Sequence, residues 1–444
     1  LRPARRLWEV PPPTPLHSAT HPGAMVALLR PALLPAVFAL ASAGHSGSCP
    51  ATKVCNASAG QDKGLPCCQT AADAYECCFS GESCIPNVGC RCAGCTKEPA
   101  EEHSYHGYTF EAHMAEFGKA YSEEREFKNR KAIFEANLQK VREHNRQYAA
   151  GKHGWYMAMN KFADWTPEEF KRILSTKYSH SQAPVVQLPN TKTPNSIDWR
   201  EKGAVTDVKD QGGCGSCWAF AAVESVESHY QIATGKLLKL SPQTYVNCVE
   251  NPGSCGGTGG CEGATCELAF NLTVAKGVAL EEDLPYRGRD QKCAPYKAAV
   301  KATGYVRNPP NDPKALETAL ATKGPQSVTV AAGSWQLYGG GLFHGCSGGW
   351  FFHDNTLDHG VQAVGYSEDY WIVRNSWGPG WGEKGFIRIS RASDGKTFTD
   401  SRPADGVACK PYPKSQTVGG ECGILFDTSY PTGVTAAGGE TLVI

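Results

Sequence analysis

The chain has 444 residues, 41% hydrophobic and 20% charged, with 44 basic and 44 acidic side chains that cancel to zero net charge. That length suggests two or three domains, each large enough to bury a core. The charge balance offers no basic block for nucleic acid and no acidic solvating tail, and 20 cysteines argue for an oxidising compartment rather than a cytosolic one.

Residues 1–24 are Pro-rich, do not begin with Met, and read as a non-structural upstream leader. From Met25 an apolar stretch runs to small residues at Ala39 and Ala41, which predicts a signal peptide over 25–43, cleaved after Ala41 or Ala43. Arg30, Pro31 and Pro35 make that stretch a poor bilayer span, and no other run is long and apolar enough for a stable one. Residues 44–100 form a Cys-rich module: positions 49–95 hold half of the cysteines and few large apolar residues, so disulfides must stand in for a core. Asn56 and Asn271 each open an Asn-x-Ser/Thr acceptor for glycosylation.

Residues 103–180 contain no cysteine and are rich in helix formers. Phe127, Phe134, Val141 and Tyr148 recur every seven positions, which predicts one buried face of a helix of about 25 residues. A polar, Pro-containing linker follows over 181–193.

The most informative run is Gln211-Gly212-Gly213-Cys214-Gly215-Ser216-Cys217-Trp218. The apolar residues after it continue to Tyr230 and stop at Gly235, as a buried helix does. Cys217 then sits at the helix N-terminus, where backbone N–H groups and the macrodipole favour a thiolate. A thiolate nucleophile needs a base, and Asp358-His359-Gly360 and Asn375-Ser376-Trp377 follow downstream. Strand-like runs are expected at 326–330, 360–364, 371–373 and 386–389.

These motifs together resemble the papain-like cysteine proteases, closest to the cathepsin L type. His359 falls within the window of roughly 130–150 residues after the cysteine that this pattern sets, and Asn375 slightly beyond it. The resemblance implies an α+β fold of a helical subdomain and a β-barrel subdomain meeting at a cleft. It implies Cys217 as nucleophile, His359 as its base, Asn375 orienting the ring, Trp377 shielding that bond, and Gln211 as an oxyanion donor. Glu126, Arg130, Phe134, Asn137, Val141 and Asn145 match the interspersed motif of cathepsin L-type propeptides, with Val141 for Ile. Asn160, Phe162 and Asp164 match its second motif, with Ala158 where glycine is usual. The family's organisation therefore reads as an inhibitory propeptide over 101–193, cleaved between Lys177 and Pro194, and a peptidase domain over 194–444. The run Cys67-Cys68 and Cys77-Cys78 gives the Cys-rich module a partial likeness to granulin; a generic disulfide knot is the plainer reading.

By the same resemblance Cys214 pairs with Cys261, Cys248 with Cys293, and Cys346 with Cys422. Cys255, Cys266 and Cys409 remain, with Cys255–Cys266 feasible and Cys409 then unpaired. The stretch from about 392 to 420 reads as a surface insertion. Gly263 resembles the residue that pairs with the substrate backbone, though it also suits a plain turn. Asp358 and Trp377 border the substrate, and Asp427 falls at the base of the main specificity pocket, where a carboxylate would accept Arg or Lys as well as apolar groups; a solvent-facing Asp427 is the bland alternative. No His-His insertion follows Cys248, so the cleft is expected to be open at both ends.

The resulting expectation is a cysteine endopeptidase of a lysosome, vacuole or the extracellular space, acting on protein and peptide substrates without cofactor or metal. Its own prodomain is its inhibitor, lost in acid as ion-paired helix carboxylates protonate, and the mature enzyme is a monomer. The competing class is a binding or adhesion protein led by the Cys-rich module.

Overall fold

The computed structural model describes residues 103–174, 183–189, 191–346, 355–406 and 408–438 in full, and five short strands between 61 and 92 by backbone alone. The leader, the signal peptide at 25–43 and Asn56 lie outside the described residues. Among those described, no helix is long and apolar enough to cross a membrane.

The chain divides into two units, Leu1–Lys97 and Glu98–Ile444. In the first, β1 (Gln61–Asp62), β2 (Leu65–Ala71) and β3 (Ala74–Cys77) form one small antiparallel sheet, and β4 (Glu82–Ile85) pairs with β5 (Gly89–Cys92). The register sets Cys67 opposite Cys77 and Cys84 opposite Cys90.

The second unit opens with the prosegment: α1 (Phe110–Glu116), α2 (Glu124–Ala149), β6 (Trp155–Met157) and α3 (Pro167–Lys171). Thr109 caps α1 by accepting from the Ala112 N–H. On α2 the buried residues are Phe134, Leu138, Val141 and Asn145, the stripe expected of an amphipathic helix; Phe127 and Tyr148, at the ends of the predicted heptad series, are half-buried.

The rest contains β7 (Ile197–Asp198), α4 (Cys217–Thr234), α5 (Pro242–Cys248), α6 (Cys266–Ala275), β8 (Val300–Lys301), β9 (Gly304–Arg307), α7 (Pro313–Thr322) and β10 (Gln326–Val330). It continues with β11 (Tyr338–Phe343), β12 (His359–Tyr366), β13 (Tyr370–Arg374), β14 (Phe386–Ser390), β15 (Thr397–Asp400), β16 (Gln416–Gly419), β17 (Thr428–Thr432) and β18 (Thr435–Ala436). The predicted strands at 326–330, 360–364, 371–373 and 386–389 all lie within β10, β12, β13 and β14. The helix predicted after Cys217 is α4, buried on nearly every face and closed by Gly235 at φ 73°, a left-handed stop that glycine adopts without a Cβ clash.

Two cores result. One gathers α4, α5 and α6 around Trp218, Tyr245 and Phe270. The other belongs to the large sheet, whose strand order is β6-β11-β14-β13-β12-β10-β17-β9, with β7 on β12. Prosegment residues Phe110, Phe134, Val141, Phe162 and Phe170 belong to that second core, so the prosegment is packed as part of the fold. Its strand β6 lies antiparallel on β11, with Trp155 opposite Gly341 and Tyr156 opposite Gly340. A Cβ on Gly340 would stand 2.7 Å from the Tyr156 hydroxyl, and one on Gly341, at φ 94°, 2.5 Å from the Gly154 carbonyl. The glycines of β11 are what allow the prosegment strand to dock.

The three disulfides expected from resemblance are present: Cys214–Cys261, Cys248–Cys293 and Cys346–Cys422. A fourth joins Cys255 to Cys409 and leaves Cys266 as a free, buried thiol, which corrects the Cys255–Cys266 pairing. The two candidate partners stand 154 residues apart in sequence, so only the fold reveals their neighbourhood. The segment read as a surface insertion holds the β15–β16 hairpin, and its Val418 is buried against Leu357 and Ala331. It therefore backs Leu357, the residue that leads into Asp358 and His359. Asn271 is exposed on α6.

Candidate active site

Cys217 is the first residue of α4, with Ser216 at the cap, and is fully buried. The local chain is fixed by Cys214–Cys261 and by a bond of 3.0 Å from the Gly215 N–H to the Cys261 carbonyl. Ser216 Oγ lies 2.6 Å from the Tyr286 hydroxyl, which donates to the Gln211 carbonyl at 2.9 Å. These contacts place the sulfur at the positive end of an 18-residue helix, where an anion is stabilised.

His359 opens β12, paired with Val330 of β10, and α4 packs on β12. Its Nε2 lies 2.8 Å from Asn375 Oδ1, so that nitrogen donates and Nδ1 is the basic one; Nδ1 has no hydrogen-bond partner. Trp377 stacks on the imidazole at 4.7 Å and Trp335 stands edge-on at 6.2 Å. Burial pushes the His359 pKa down to about 4 against the opposing bond to Asn375. A buried imidazole of this kind favours its neutral form, since charging it needs solvent or other dipoles to return.

Gln211 is buried between the enzyme and the prosegment. Its Oε1 accepts from Ser376 Oγ at 2.7 Å, which aims the amide, and its Nε2 donates to the carbonyls of Cys214 and Ile173, both at 3.0 Å. Ile173 belongs to the prosegment and is itself buried. A prosegment carbonyl thus occupies the donor that sequence reasoning assigned to an oxyanion.

The prosegment also covers Trp377. Phe162 and Phe170 meet its ring at 5.6 and 5.1 Å, both edge-on. Phe170 is held there by α3, which a capping box closes: Thr166 Oγ1 accepts from the Glu169 N–H, and Glu169 accepts from the Thr166 N–H. Arg130 of α2 grips the same Glu169 carboxylate with two bonds of 2.6 and 2.7 Å. The motif residues therefore act in sequence, from Arg130 through Glu169 to Phe170 on the tryptophan. Asn137 donates to the Ala163 carbonyl, and Asn160 to the Gln336 carbonyl of the enzyme at 2.9 Å. Asp164 is buried among Lys119, Tyr121 and His113. Burial alone would raise its pKa, but the bonds to those three groups outweigh it and hold the carboxyl down at about 2. The helix carboxylates expected to release the prosegment in acid pair within the prosegment instead: Glu124 with Lys128, Glu126 with Arg130, Glu111 with Lys131.

A seam of histidines, which sequence reasoning missed, lies where α2 and β6 meet the enzyme. His144 and His153 stack at 4.5 Å with parallel rings. His144 Nε2 donates to the Trp155 carbonyl at 3.0 Å, and His153 Nε2 pairs with Gln147 Oε1 at 3.1 Å. Burial pushes His144 down to about 4, with the charges of His153, Lys140 and the enzyme's His344 adding to it. Burial likewise lowers His153, followed by His344 and Lys152. The carboxylate of Glu143 reaches this group only through Gln147 and also faces Arg146.

The remaining predicted site residues are placed as follows. Asp358 is buried and accepts from the Ala332 N–H at 2.9 Å, a bond within the enzyme. Gly263 lies at φ 91°, and its carbonyl accepts from the Gly259 N–H at 2.9 Å. Asp427 is buried, which removes the solvent-facing alternative. It also lies 3.3 Å from Arg307, so the carboxylate is not the bare acceptor that the sequence suggested.

Residues 193–404 match the papain family of cysteine proteases, and residues 110–170 match the cathepsin propeptide inhibitor domain (I29). The chain is 39% identical to the oryzain beta chain of Oryza sativa subsp. japonica, over 69% of this chain and 62% of that one, so it spans less than two thirds of oryzain's length. It is 40% identical to procathepsin L of Mus musculus, over 60% of this chain and 81% of that protein. The solved structure of digestive procathepsin L 3 from Tenebrio molitor larval midgut is superimposed with a TM-score of 0.61 at 30% identity, covering 72% of this chain and 97% of the other. The chain belongs to the papain family of cysteine proteases and carries the cathepsin-type inhibitory prosegment ahead of its peptidase unit.

Proposed function

We propose that this protein is an endopeptidase zymogen in which Cys217 attacks the substrate carbonyl and His359 first takes and then returns the proton. The single observation that carries the reading is the Ile173 carbonyl of the prosegment on the Gln211 amide: the group poised to bind an oxyanion already binds a peptide oxygen. In the reaction the His359 Nδ1 accepts the thiol proton, Asn375 holds the ring through Nε2, and the sulfur adds to the carbonyl carbon. Gln211 Nε2 and the Cys217 N–H stabilise the resulting oxyanion. The imidazolium then protonates the leaving amine, and water hydrolyses the thioester by the reverse sequence. Trp377 keeps water from the His359–Asn375 bond, Gly263 lines the path of the substrate backbone, and Asp427 backs the subsite for the residue before the scissile one. Asp358 acts through Ala332, whose backbone it holds.

Activation in acid is part of the same proposal, and the histidine seam supports it. His144 is held below its ordinary pKa of about 6.5 while docked, so the released prosegment binds more protons than the docked one. Docking stability is complete above about pH 6.5 and falls as pH drops toward 4. Asp164, held at about 2, stays ionised through that window. The Cys-rich unit, the signal peptide and the acceptor Asn271 fit a secretory route to a lysosome, a vacuole or the extracellular space.

The test is hydrolysis of a fluorogenic Phe-Arg peptide by acid-processed protein under reducing conditions, with Cys217→Ala alongside. Activity confined to the wild type and dependent on reductant is expected. Absence of activity once the prosegment is removed would overturn the reading in favour of a binding role.

A further inference from the structure

Beside the nucleophile lies a buried group of charges that peptide hydrolysis does not use. Thr329 of β10 pairs with Gly360, the neighbour of His359. Its N–H donates to the Asp427 carbonyl at 3.0 Å and its Oγ1 to Asp427 Oδ2 at 2.9 Å. Asp427 is therefore tied to the strand position next to the histidine. Opposite it, Arg307 ends β9 with Nη2 3.3 Å from Asp427 Oδ1 and Nε 4.0 Å from Glu267 Oε1. Arg307, Asp427 and Glu267 are only 6%, 5% and 2% exposed.

Glu267 is the second residue of α6, and neither of its carboxyl oxygens has a hydrogen-bond partner. Burial and then the Asp427 charge raise the Glu267 pKa, and the guanidinium stands closer to Asp427 than to Glu267. The adjacent Cys266 opens α6, which packs on α4, the helix that Cys217 begins. The prosegment runs over the same spot: the Arg307 N–H donates to the Pro184 carbonyl at 3.1 Å and the Val186 N–H to the Arg307 carbonyl at 2.9 Å.

We propose that Arg307 is a specificity-determining residue: by pairing with Asp427 from inside the protein, it reserves the subsite for neutral side chains, aliphatic or aromatic, and turns away arginine and lysine. This rests on the reading of Asp427 as the back of that subsite. A basic substrate side chain would bring a second cation to a carboxylate already matched, in a region where like charges are poorly screened. Rejection built from an unfavourable pairing is a recurrent route to specificity. Without Arg307 the same carboxylate becomes an unmatched buried acceptor, which a substrate guanidinium would satisfy.

The experiment compares kcat/KM on fluorogenic peptides that differ only in the residue before the scissile one (Leu, Phe or Arg), using acid-processed wild type, Arg307→Met and Arg307→Lys. Wild type is expected to favour Leu and Phe over Arg. Arg307→Met should raise the Arg-to-Leu ratio about tenfold or more, within the range that one pocket contact controls, and Arg307→Lys should return it toward wild type. A wild type that prefers Arg, or an Arg307→Met ratio equal to wild type, overturns the proposal. If Arg307→Met does not mature, the wild-type ratio alone still decides, since a preference for Arg refutes the pairing and a preference for Leu and Phe supports it. Loss of all Cys217-dependent hydrolysis in wild type is a different result, and it overturns the peptidase reading as well.

Discussion

Two of the places where the prosegment meets the enzyme are built from different chemistry. At the cleft, Phe162 and Phe170 lie on Trp377, and a neutral amide of Gln211 takes the Ile173 carbonyl. None of these contacting groups changes charge between pH 4 and 7. At the seam, β6 pairs with the glycines of β11 while His144 and His153 stack beside His344. His144 and His153, both held below their ordinary range by burial, are the titrating groups there. In the proposed activation, blockade and release then fall to separate regions: the part that fills the cleft is indifferent to acid, and the part that anchors the filler is the sensitive one.

The largest way to break this comparison is at the plug. Phe170 is 1% exposed, and truncating such a phenylalanine removes about 3–5 kcal/mol of packing. Phe170→Ala should let the intact zymogen hydrolyse a small fluorogenic peptide at pH 7, before any chain cleavage is visible on a gel. Silence at pH 7 would mean that the plug does not depend on the Trp377 contact. Next comes the anchor. Asn145 donates to the carbonyls of His103 and Met157, both at 2.8 Å, and accepts from the Met157 N–H at 2.7 Å. Asn145→Ala leaves these groups without partners at a cost of about 2 kcal/mol or more. Self-processing at pH 5 should accelerate, while kcat/KM of the matured enzyme stays at the wild-type value, because Asn145 departs with the prosegment. A slower or unchanged rate would place the anchor elsewhere.

How much of this was legible in the sequence differs between the two places. At the plug, the resemblance carried by Glu126, Arg130, Phe134 and Phe162 and by the Cys-x-x-Cys run implied a prosegment lying on the enzyme, but Phe170 and Ile173 were not singled out, because only the fold brings them to Trp377 and Gln211. The three disulfides followed from resemblance in the same way. The anchor was not readable, because His144, His153 and His344 lie on α2, on a loop and after β11, and a histidine carries no periodic signal that marks a partner across a seam. Cys255–Cys409 and Arg307–Asp427 were hidden for the same reason, since each joins segments more than a hundred residues apart. Within the proposed acid release, the titrating groups move from carboxylates to histidines. Charged residues on α2 suggested carboxylates that let go of the enzyme, but i,i+4 neighbours satisfy one another first, and Glu126 and Glu124 do so with Arg130 and Lys128.

The pH dependence sharpens the comparison further. His153→Gln removes a group whose protonation opposes docking and leaves the His144 bond to Trp155 in place. The docked state then loses less stability on acidification, so the pH midpoint of self-processing should move down by about half a unit. A midpoint unchanged or moved up would show that the seam is not the sensor. Phe170→Ala should leave that midpoint alone, because the plug contributes no proton uptake.

The smallest effect is expected at an ion pair that joins prosegment and enzyme directly, Lys161 with Asp210, whose closest contact is 2.6 Å. Its appearance suggests an obvious electrostatic latch near the cleft. Both side chains are partly solvated, at 26% and 48% exposure, and a pair of this kind contributes about 0–1 kcal/mol. Asp210 also accepts from the Gly212 N–H at 2.9 Å, so it keeps its place when the lysine is gone. Lys161→Met should therefore change neither latency at pH 7 nor the processing midpoint, and raising salt should be equally silent in wild type. A marked gain in neutral-pH activity from either change would move a charged element into the plug and dissolve the division between a cleft contact that ignores acid and a seam that answers to it.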